Sequence, residues 1–183
     1  EMKALFLIFH GFEEFNGISK KIRYQIKALK ECGLEVYTCY YEVLPNGHRT
    51  WMIDDTILKD LGTGKIAKIK KRVSYQFISQ FVAEQKIEFV YMRSYHNANP
   101  FTIKLVKEIR ALGAKVVMEI PTYPYDQEYI DWNMKCELFV DKLFRRKLAS
   151  NLNAIVTYSD HNHIFGQRTI RISDGIDFSS ITP

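Results

Sequence analysis

The chain has 183 residues, of which 46% are hydrophobic and 26% are charged, and its formal net charge at pH 7 is +5. These values are ordinary for a globular domain, and no apolar run approaches the roughly 20 residues that a membrane-spanning helix needs. The three cysteines, Cys32, Cys39 and Cys136, are odd in number and lack a CxxC spacing. This argues against a disulfide framework and favours reduced thiols in a cytoplasmic protein.

Predicted strands and helices alternate along the chain, which is typical of a doubly wound, Rossmann-like α/β domain with a mainly parallel sheet. Residues 3–9 and 34–41 are predicted strands. The helix between them has apolar positions at Ile18, Ile22, Ile26 and Leu29 and should end at Gly33. Asn46-Gly47, between two strand-like runs, predicts a β-hairpin insertion near residues 43–53.

The second half continues the alternation. A polar loop carrying Asp54, Asp55 and Asp60 is expected before a helix over residues 65–84, with Ile66, Ile69, Val73, Phe77 and Phe81 facing inward. Asn99 and Pro100 should open a helix that Gly113 closes. A helix over residues 134–149 should place Phe139, Leu143, Phe144 and Leu148 on one side. The other predicted strands are 87–92, 115–120, 154–158 and 169–172, with a short helix between the last two.

Ligands of open parallel sheets bind beyond the carboxyl ends of the strands, near a switch in strand order. Four loops follow predicted strands at this edge and carry unusual residues: 10–17, 93–99, 121–128 and 159–163. We therefore expect the functional site to be built from these loops.

The first of these loops ends in Asn16-Gly17. It has neither G-x-G-x-x-G nor a P-loop lysine, which argues against a dinucleotide or Walker-type site. A glycine just before a helix still lets backbone N–H groups face an anion. Gly17 fits that role and, equally, a tight turn that simply requires glycine.

Two further loops carry candidate binding residues. Arg93 ends a strand, where it could recognise a phosphate or carboxylate or form a salt bridge within the fold. His96 offers another polar contact. In the loop that follows Glu119, Tyr123 and Tyr125 could stack on sugar rings while Asp126 accepts from sugar hydroxyls. The alternative is that Asp126 caps a helix and the aromatic side chains pack in the core.

Other catalytic and metal motifs find little support. His161-Asn-His163 lacks partners at zinc-ligand spacing and is interpreted as the exposed start of a helix, so no metal is expected. No G-x-S-x-G nucleophile elbow is present.

The basic residues Lys65, Lys68, Lys71 and Arg72 form one face of the helix over residues 65–84. This face is either simply solvated or docks peripherally on the anionic inner surface of the cytoplasmic membrane. Nucleic-acid binding is disfavoured because aromatic residues do not interleave the basic run.

Three runs resemble bacterial glycosyltransferases of family four, which have a GT-B fold of two α/β halves. They are Ala154-Ile-Val-Thr-Tyr-Ser-Asp160, followed by the turn Asp174-Gly-Ile-Asp177; the strand ending Tyr91-Met-Arg93; and Glu119-Ile-Pro-Thr-Tyr-Pro-Tyr125, which resembles capsule and exopolysaccharide enzymes. The resemblance spans essentially the whole chain. It identifies residues 1–183 as a single domain, the acceptor-side N-terminal half, with the donor-binding half beyond it.

The resemblance implies metal-independent, cofactor-free transfer of a sugar from a nucleotide-sugar donor to a glycan or lipid-linked acceptor, with retention of configuration. Asn16 and Gly17 would face the donor diphosphate, although the family has Gly-Gly here. The acceptor-binding residues would be Arg93, His96, Glu119, Thr122, Tyr123, Tyr125 and Asp126, and Ser159 and Asp160 would lie at the cleft edge. Because the donor half lies outside the chain, the fragment alone is predicted to be inactive.

Two rivals remain open. One is a non-catalytic α/β module that binds a glycan or phosphate through the tyrosine-rich loop. The other is a nucleotide-binding enzyme complete in one domain, against which the absence of a glycine-rich fingerprint counts.

Overall fold

The structure is a computed structural model that describes residues 2–9, 20–93, 98–120 and 132–171. The strands of this part of the chain are β1 (Lys3–Ile8), β2 (Glu35–Val43), β3 (Arg49–Ile53), β4 (Thr56–Gly62), β5 (Phe89–Arg93), β6 (Lys115–Ile120), β7 (Ala154–Thr157), β8 (His163–Ile164) and β9 (Gln167–Arg171). The helices are α1 (Lys20–Glu31), α2 (Gly64–Val73), α3 (Gln76–Glu84), α4 (Pro100–Ala111) and α5 (Trp132–Ser150).

The strands are arranged in the order β4-β3-β2-β1-β5-β6-β7-β9-β8. In this order, the adjacent strands β2, β1, β5, β6, β7 and β9 pair in parallel. The strands β3, β4 and β8 pair antiparallel with their neighbours. The Rossmann-like α/β prediction with a mainly parallel sheet is therefore confirmed. The chain builds β2 on one side of β1 and β5 on the other, so the strand order switches at the carboxyl ends of β1 and β5.

The two faces of the sheet carry different helices. Leu5 and Leu7 of β1 point into a core shared with α3, α4 and α5. Phe6 and Ile8 point the other way, into a core shared with Leu29 of α1. This alternation follows from the period of two in a strand, and burial on both faces explains why β1 reads as an unbroken apolar run.

The predicted hairpin is confirmed, since Val43 of β2 pairs antiparallel with Arg49 of β3 and Gly47 has a φ of 85°. The polar loop predicted after it is wrong in part, because Asp60 lies in β4. Asp54, at a φ of 52°, turns the chain between β3 and β4. The pattern concealed β4 because it is an edge strand of which only Leu61 is buried.

The single helix predicted over residues 65–84 is two helices, broken at Ser74 and Tyr75. Ser74 is extended, with φ −137° and ψ 109°. Tyr75 turns inward, 5.3 Å from Phe9 and 6.3 Å from Trp51 between ring centroids. The helix is therefore interrupted where Tyr75 makes these aromatic contacts in the core.

The break also changes which side chains of this region are buried. Ile66, Ile69 and Val73, predicted to face inward, are 68%, 60% and 40% exposed. The predicted inward positions of Phe77 and Phe81 agree with the structure, where both pack partly buried against the core.

The later elements match the predictions more closely. Asn99 caps α4, with Pro100 in its first turn, and Gly113 follows the helix at a φ of 92°. In α5, Leu148 is buried, but Phe139 and Leu143 are 66% and 63% exposed, which departs from the predicted shared face. The short helix predicted near residue 163 is wrong: β8 and β9 form a hairpin around Phe165 and Gly166, both at positive φ. No helix of the described segments is long and apolar enough to cross a bilayer.

Candidate functional site

A fully buried carboxylate, Glu119, lies near the carboxyl end of β6. Its Oε1 accepts hydrogen bonds from Nε2 of Gln25 and, at 2.8 Å, from the hydroxyl of Tyr91. Its Oε2 accepts from Nε of Arg93 at 2.7 Å. We call these four residues, together with Tyr158, the Glu119 cluster, because Tyr158 contacts Gln25 through its hydroxyl at 3.4 Å.

The sheet register brings the cluster together. Arg93 is the Cα partner of Glu119 across β5 and β6, and Tyr91 lies two residues earlier on the same face. That face carries α1, whose Gln25 is completely buried and reaches the carboxylate from above the sheet. The cluster therefore joins β5, β6, α1 and the segment after β7.

Burying a carboxylate is costly unless it is paired and hydrogen-bonded. Glu119 has one cationic and two neutral donors, so its charge is balanced by Arg93 and both of its oxygens are occupied. Burial, and then the charge of Glu119 and the hydrogen bond to it, raise the pKa of Tyr91 well above 10. Tyr91 consequently remains a neutral donor across the physiological pH range.

Arg93 is the member of the cluster best placed to meet a ligand. Its side chain is 12% exposed, and only Nε is used in the pair with Glu119. Within the described segments the two terminal nitrogens have no hydrogen-bond partner. The N–H of Phe9, just after β1, donates to the carbonyl of Arg93 at 3.2 Å, which places Arg93 at the switch in strand order. A guanidinium held by its Nε presents two parallel N–H groups, the arrangement that recognises carboxylate or phosphate oxygens.

Ser159 and Asp160 follow β7 and form a separate polar group. The hydroxyl of Ser159 lies 2.9 Å from that of Thr157 and 3.0 Å from Nδ1 of His161. Asp160 is exposed and pairs with Arg171 of β9. Both predicted cleft-edge residues thus lie after a strand of the parallel sheet, and neighbouring Tyr158 links their segment to the Glu119 cluster.

The other predicted site residues lie outside the described residues: Asn16, Gly17, His96, Thr122, Tyr123, Tyr125 and Asp126. Glu119, predicted to contact the acceptor, is fully buried and accepts a hydrogen bond from Nε of Arg93. Its place in the structure is that of a group that orients the arginine.

The histidines near residue 162 do not begin a helix, since His163 lies in β8. In the ranges that the structure describes, no three His, Cys, Asp or Glu side chains are grouped so as to hold a metal ion.

Three members of the cluster were not predicted as site residues: Gln25, Tyr91 and Tyr158. One signal for Gln25 was available, because it is a polar residue in the apolar stripe of α1, between Ile22 and Leu29. Glu119 carries the same signal, a charge within the apolar run Val116–Ile120. Two polar residues at inward positions of different elements indicate a buried pair, although their sequence separation hides which residues meet.

A scan against models of known protein families and a search of curated proteins found no match to this chain. The functional argument therefore depends on the geometry of the cluster and on the resemblance of the sequence motifs.

Proposed function

We propose that this chain is the acceptor-binding N-terminal half of a glycosyltransferase with a GT-B fold, which transfers a sugar from a nucleotide-sugar donor to a glycan or lipid-linked acceptor with retention of configuration. The observation that carries the proposal is the position of Arg93. It lies at the switch in strand order, is held by a buried carboxylate, and has its terminal N–H groups unpaired within the described segments.

Several features support a binding role for this edge of the sheet. A doubly wound sheet binds its ligands at such a switch point. A buried ion pair contributes little net stability compared with apolar packing, and breaking it is costly. We therefore interpret the Glu119 cluster as the set of contacts that fixes the orientation of Arg93. The runs that resemble family-four enzymes lie at this same edge. One ends with Arg93 of β5, one begins with Glu119 of β6, and one begins with β7 and continues past its carboxyl end.

In the proposed reaction this half of the enzyme binds and orients the acceptor. Arg93 receives an anionic or hydroxyl-rich part of the acceptor, Glu119 and Gln25 hold Arg93, and Tyr91 remains protonated beside the carboxylate. Tyr123 and Tyr125 stack on the sugar. Asn16 and Gly17 approach the donor diphosphate, which is bound mainly by the second half. No metal or other cofactor is required in this scheme.

The test uses the protein encoded by the whole parent gene. It is incubated with radiolabelled nucleotide sugars and with polyprenyl-phosphate-linked or soluble glycan acceptors, and the transferred sugar is counted. We expect Arg93→Gln to raise the acceptor KM at least about tenfold, the loss for a hydrogen bond to a charged group, with little change in the donor KM. The anomeric configuration of the product should match that of the donor.

The matched control is Arg110→Gln. Arg110 is exposed and donates to the carbonyl of Asn151 near the other edge of the sheet, so transfer should be unchanged. If no donor supports transfer but Arg93 is still required for glycan or phosphate binding, the chain is a non-catalytic binding module and the transferase proposal fails. Equal loss in the Arg93 and Arg110 variants would contradict the role of the cleft.

A further inference from the structure

Helix α2 has an unusual composition for a surface helix. Its ten residues include five basic side chains and no acidic one: Lys65, Lys68, Lys70, Lys71 and Arg72. All of them except Lys71 are exposed. The ammonium group of Lys71 instead lies 3.9 Å from the ring centroid of Tyr41, which fixes the helix to β2.

The apolar side chains of α2 face outward. Ala67 is the buried residue of the helix, whereas Ile66, Ile69 and Val73 are 68%, 60% and 40% exposed. At about 100° per residue, these three positions fall within a stripe roughly 60° wide. We call this stripe and the exposed cations around it the α2 surface.

The cations flank the apolar stripe. At the same helical spacing, Lys70 projects from one side of it, and Lys65 and Arg72 project from the other. Helices that lie in the plane of a membrane interface have this arrangement, with an apolar stripe at the acyl boundary and Lys or Arg at the headgroups. Long basic side chains can also extend sideways to reach those headgroups.

The apolar surface continues onto α4. Val73 and Phe101, itself 44% exposed, line a recess of about 160 Å³ together with Tyr75 and Leu105. Lys104 and Glu108 also line this recess and pair with each other at 3.9 Å, so the net positive charge of the patch comes from α2. The exposed apolar residues therefore form a patch that extends beyond one helix.

The patch lies beside the candidate cleft. Tyr75 lies two residues after the end of α2 and packs its ring 5.3 Å from that of Phe9. Phe9 follows β1, and its N–H donates to the carbonyl of Arg93. The α2 surface thus ends next to the edge of the sheet on which Arg93 lies.

We propose that the α2 surface docks this protein on an anionic lipid bilayer, with Ile66, Ile69 and Val73 entering the interface. Charge complementarity favours a lipid surface, because all the charged side chains of α2 are positive. A protein partner is less favoured, since lysine is depleted in protein interfaces. The inference goes beyond the proposed function and does not depend on it, although docking there would bring the cleft to a lipid-linked acceptor.

The experiment measures co-sedimentation of the full chain with vesicles of phosphatidylcholine, alone or with roughly 30% phosphatidylglycerol. We expect binding to the anionic vesicles only, weakened by about 0.5 M salt because surface charges are then screened. Lys65→Gln with Lys70→Gln should weaken binding about 25-fold, or about fivefold for each charge near the surface. Ile66→Ser with Ile69→Ser should reduce binding at every salt concentration.

Two matched controls distinguish binding through the α2 surface from general effects of positive charge and exposed apolar side chains. Lys27→Gln with Lys30→Gln removes two exposed charges from α1, on the opposite face of the sheet, and Leu112→Ser removes a side chain that is 52% exposed after α4. Both should bind like the unmodified chain, and circular dichroism should show every variant folded. Equal binding to neutral vesicles, no vesicle binding, or losses equal to those of the controls would overturn the proposal. Self-association or protein binding through Ile66 and Ile69 without vesicle binding would also overturn it.

Discussion

Glu119 shows how a single residue can organise a site that it does not itself expose. A buried carboxylate needs several donors, and the three that it has come from positions 25, 91 and 93. Their convergence fixes Arg93 by its Nε, and in the proposed function the terminal N–H groups of the guanidinium meet the acceptor. The contacts that offset the cost of burying Glu119 therefore include the one that holds Arg93 in its orientation.

Replacing Glu119 by Gln should destabilise the protein. The substitution keeps the shape but leaves Arg93 as an uncompensated, nearly buried cation and replaces one accepting oxygen by an NH₂ group that faces a donor. We expect a loss of about 2–4 kcal/mol in the free energy of unfolding, measured from urea midpoints at constant m-value. The control Glu31→Gln removes an exposed carboxylate 3.8 Å from Lys27 and should change the free energy by less than about 0.5 kcal/mol. Equal effects would show that the cluster does not hold a charge balance.

At the scale of the element, α2 and α3 show where periodicity fails. The apolar positions of residues 65–84 fit one amphipathic helix, and the pattern predicted Ile66 and Ile69 inside. The structure breaks the helix because Tyr75 gains aromatic contacts in the core with Phe9 and Trp51. Such contacts depend on residues distant in sequence, so a local pattern cannot reveal them. The same limit concealed β4, which has few buried side chains of its own.

Where local chemistry decides, the prediction was accurate, as at the start of α4. Asn99 Oδ1 accepts from the N–H groups of Phe101 and Thr102 at 2.8 and 3.0 Å, and Thr102 Oγ1 accepts from the N–H of Asn99. Asn99→Ala should therefore cost about 1 kcal/mol of the free energy of unfolding, measured by urea denaturation. Asn99→Ser keeps a capping oxygen and should restore most of that loss. If Ser is as destabilising as Ala, the cap is not the source of the effect.

For the whole molecule, the alternation of strands and helices predicted a mainly parallel sheet, whereas the sequence could not tell which side of β1 receives each strand. Because β5 lies beside β1, its last residue, Arg93, lies at the switch in strand order. The strand-end rule predicted Arg93 and Glu119 at the same edge of the sheet, and the register of β5 and β6 pairs these two residues there. The hydrogen bond between them, and the roles of Gln25 and Tyr91, required the register of β5 and β6 and the packing of α1.

The burial of Tyr75 in the core on one face of the sheet determines how stability depends on alkaline pH. Burial raises the pKa of Tyr75 above its ordinary value of 10. In the unfolded chain this hydroxyl ionises near pH 10, while in the folded protein it keeps its proton to higher pH. Its contribution to stability is thus complete below pH 10 and is lost as pH rises, by about 1.4 kcal/mol for each pH unit between the two pKa values.

Tyr75→Phe removes this titration. The free energy of unfolding of this variant, measured by urea denaturation between roughly pH 10.5 and 12, should therefore fall less steeply with pH than that of the unmodified chain, by about 1.4 kcal/mol per pH unit. Tyr24→Phe, which changes a side chain that is 59% exposed, should leave the slope unchanged. Parallel curves for the unmodified chain and Tyr75→Phe would mean that the Tyr75 hydroxyl is not held neutral by the core.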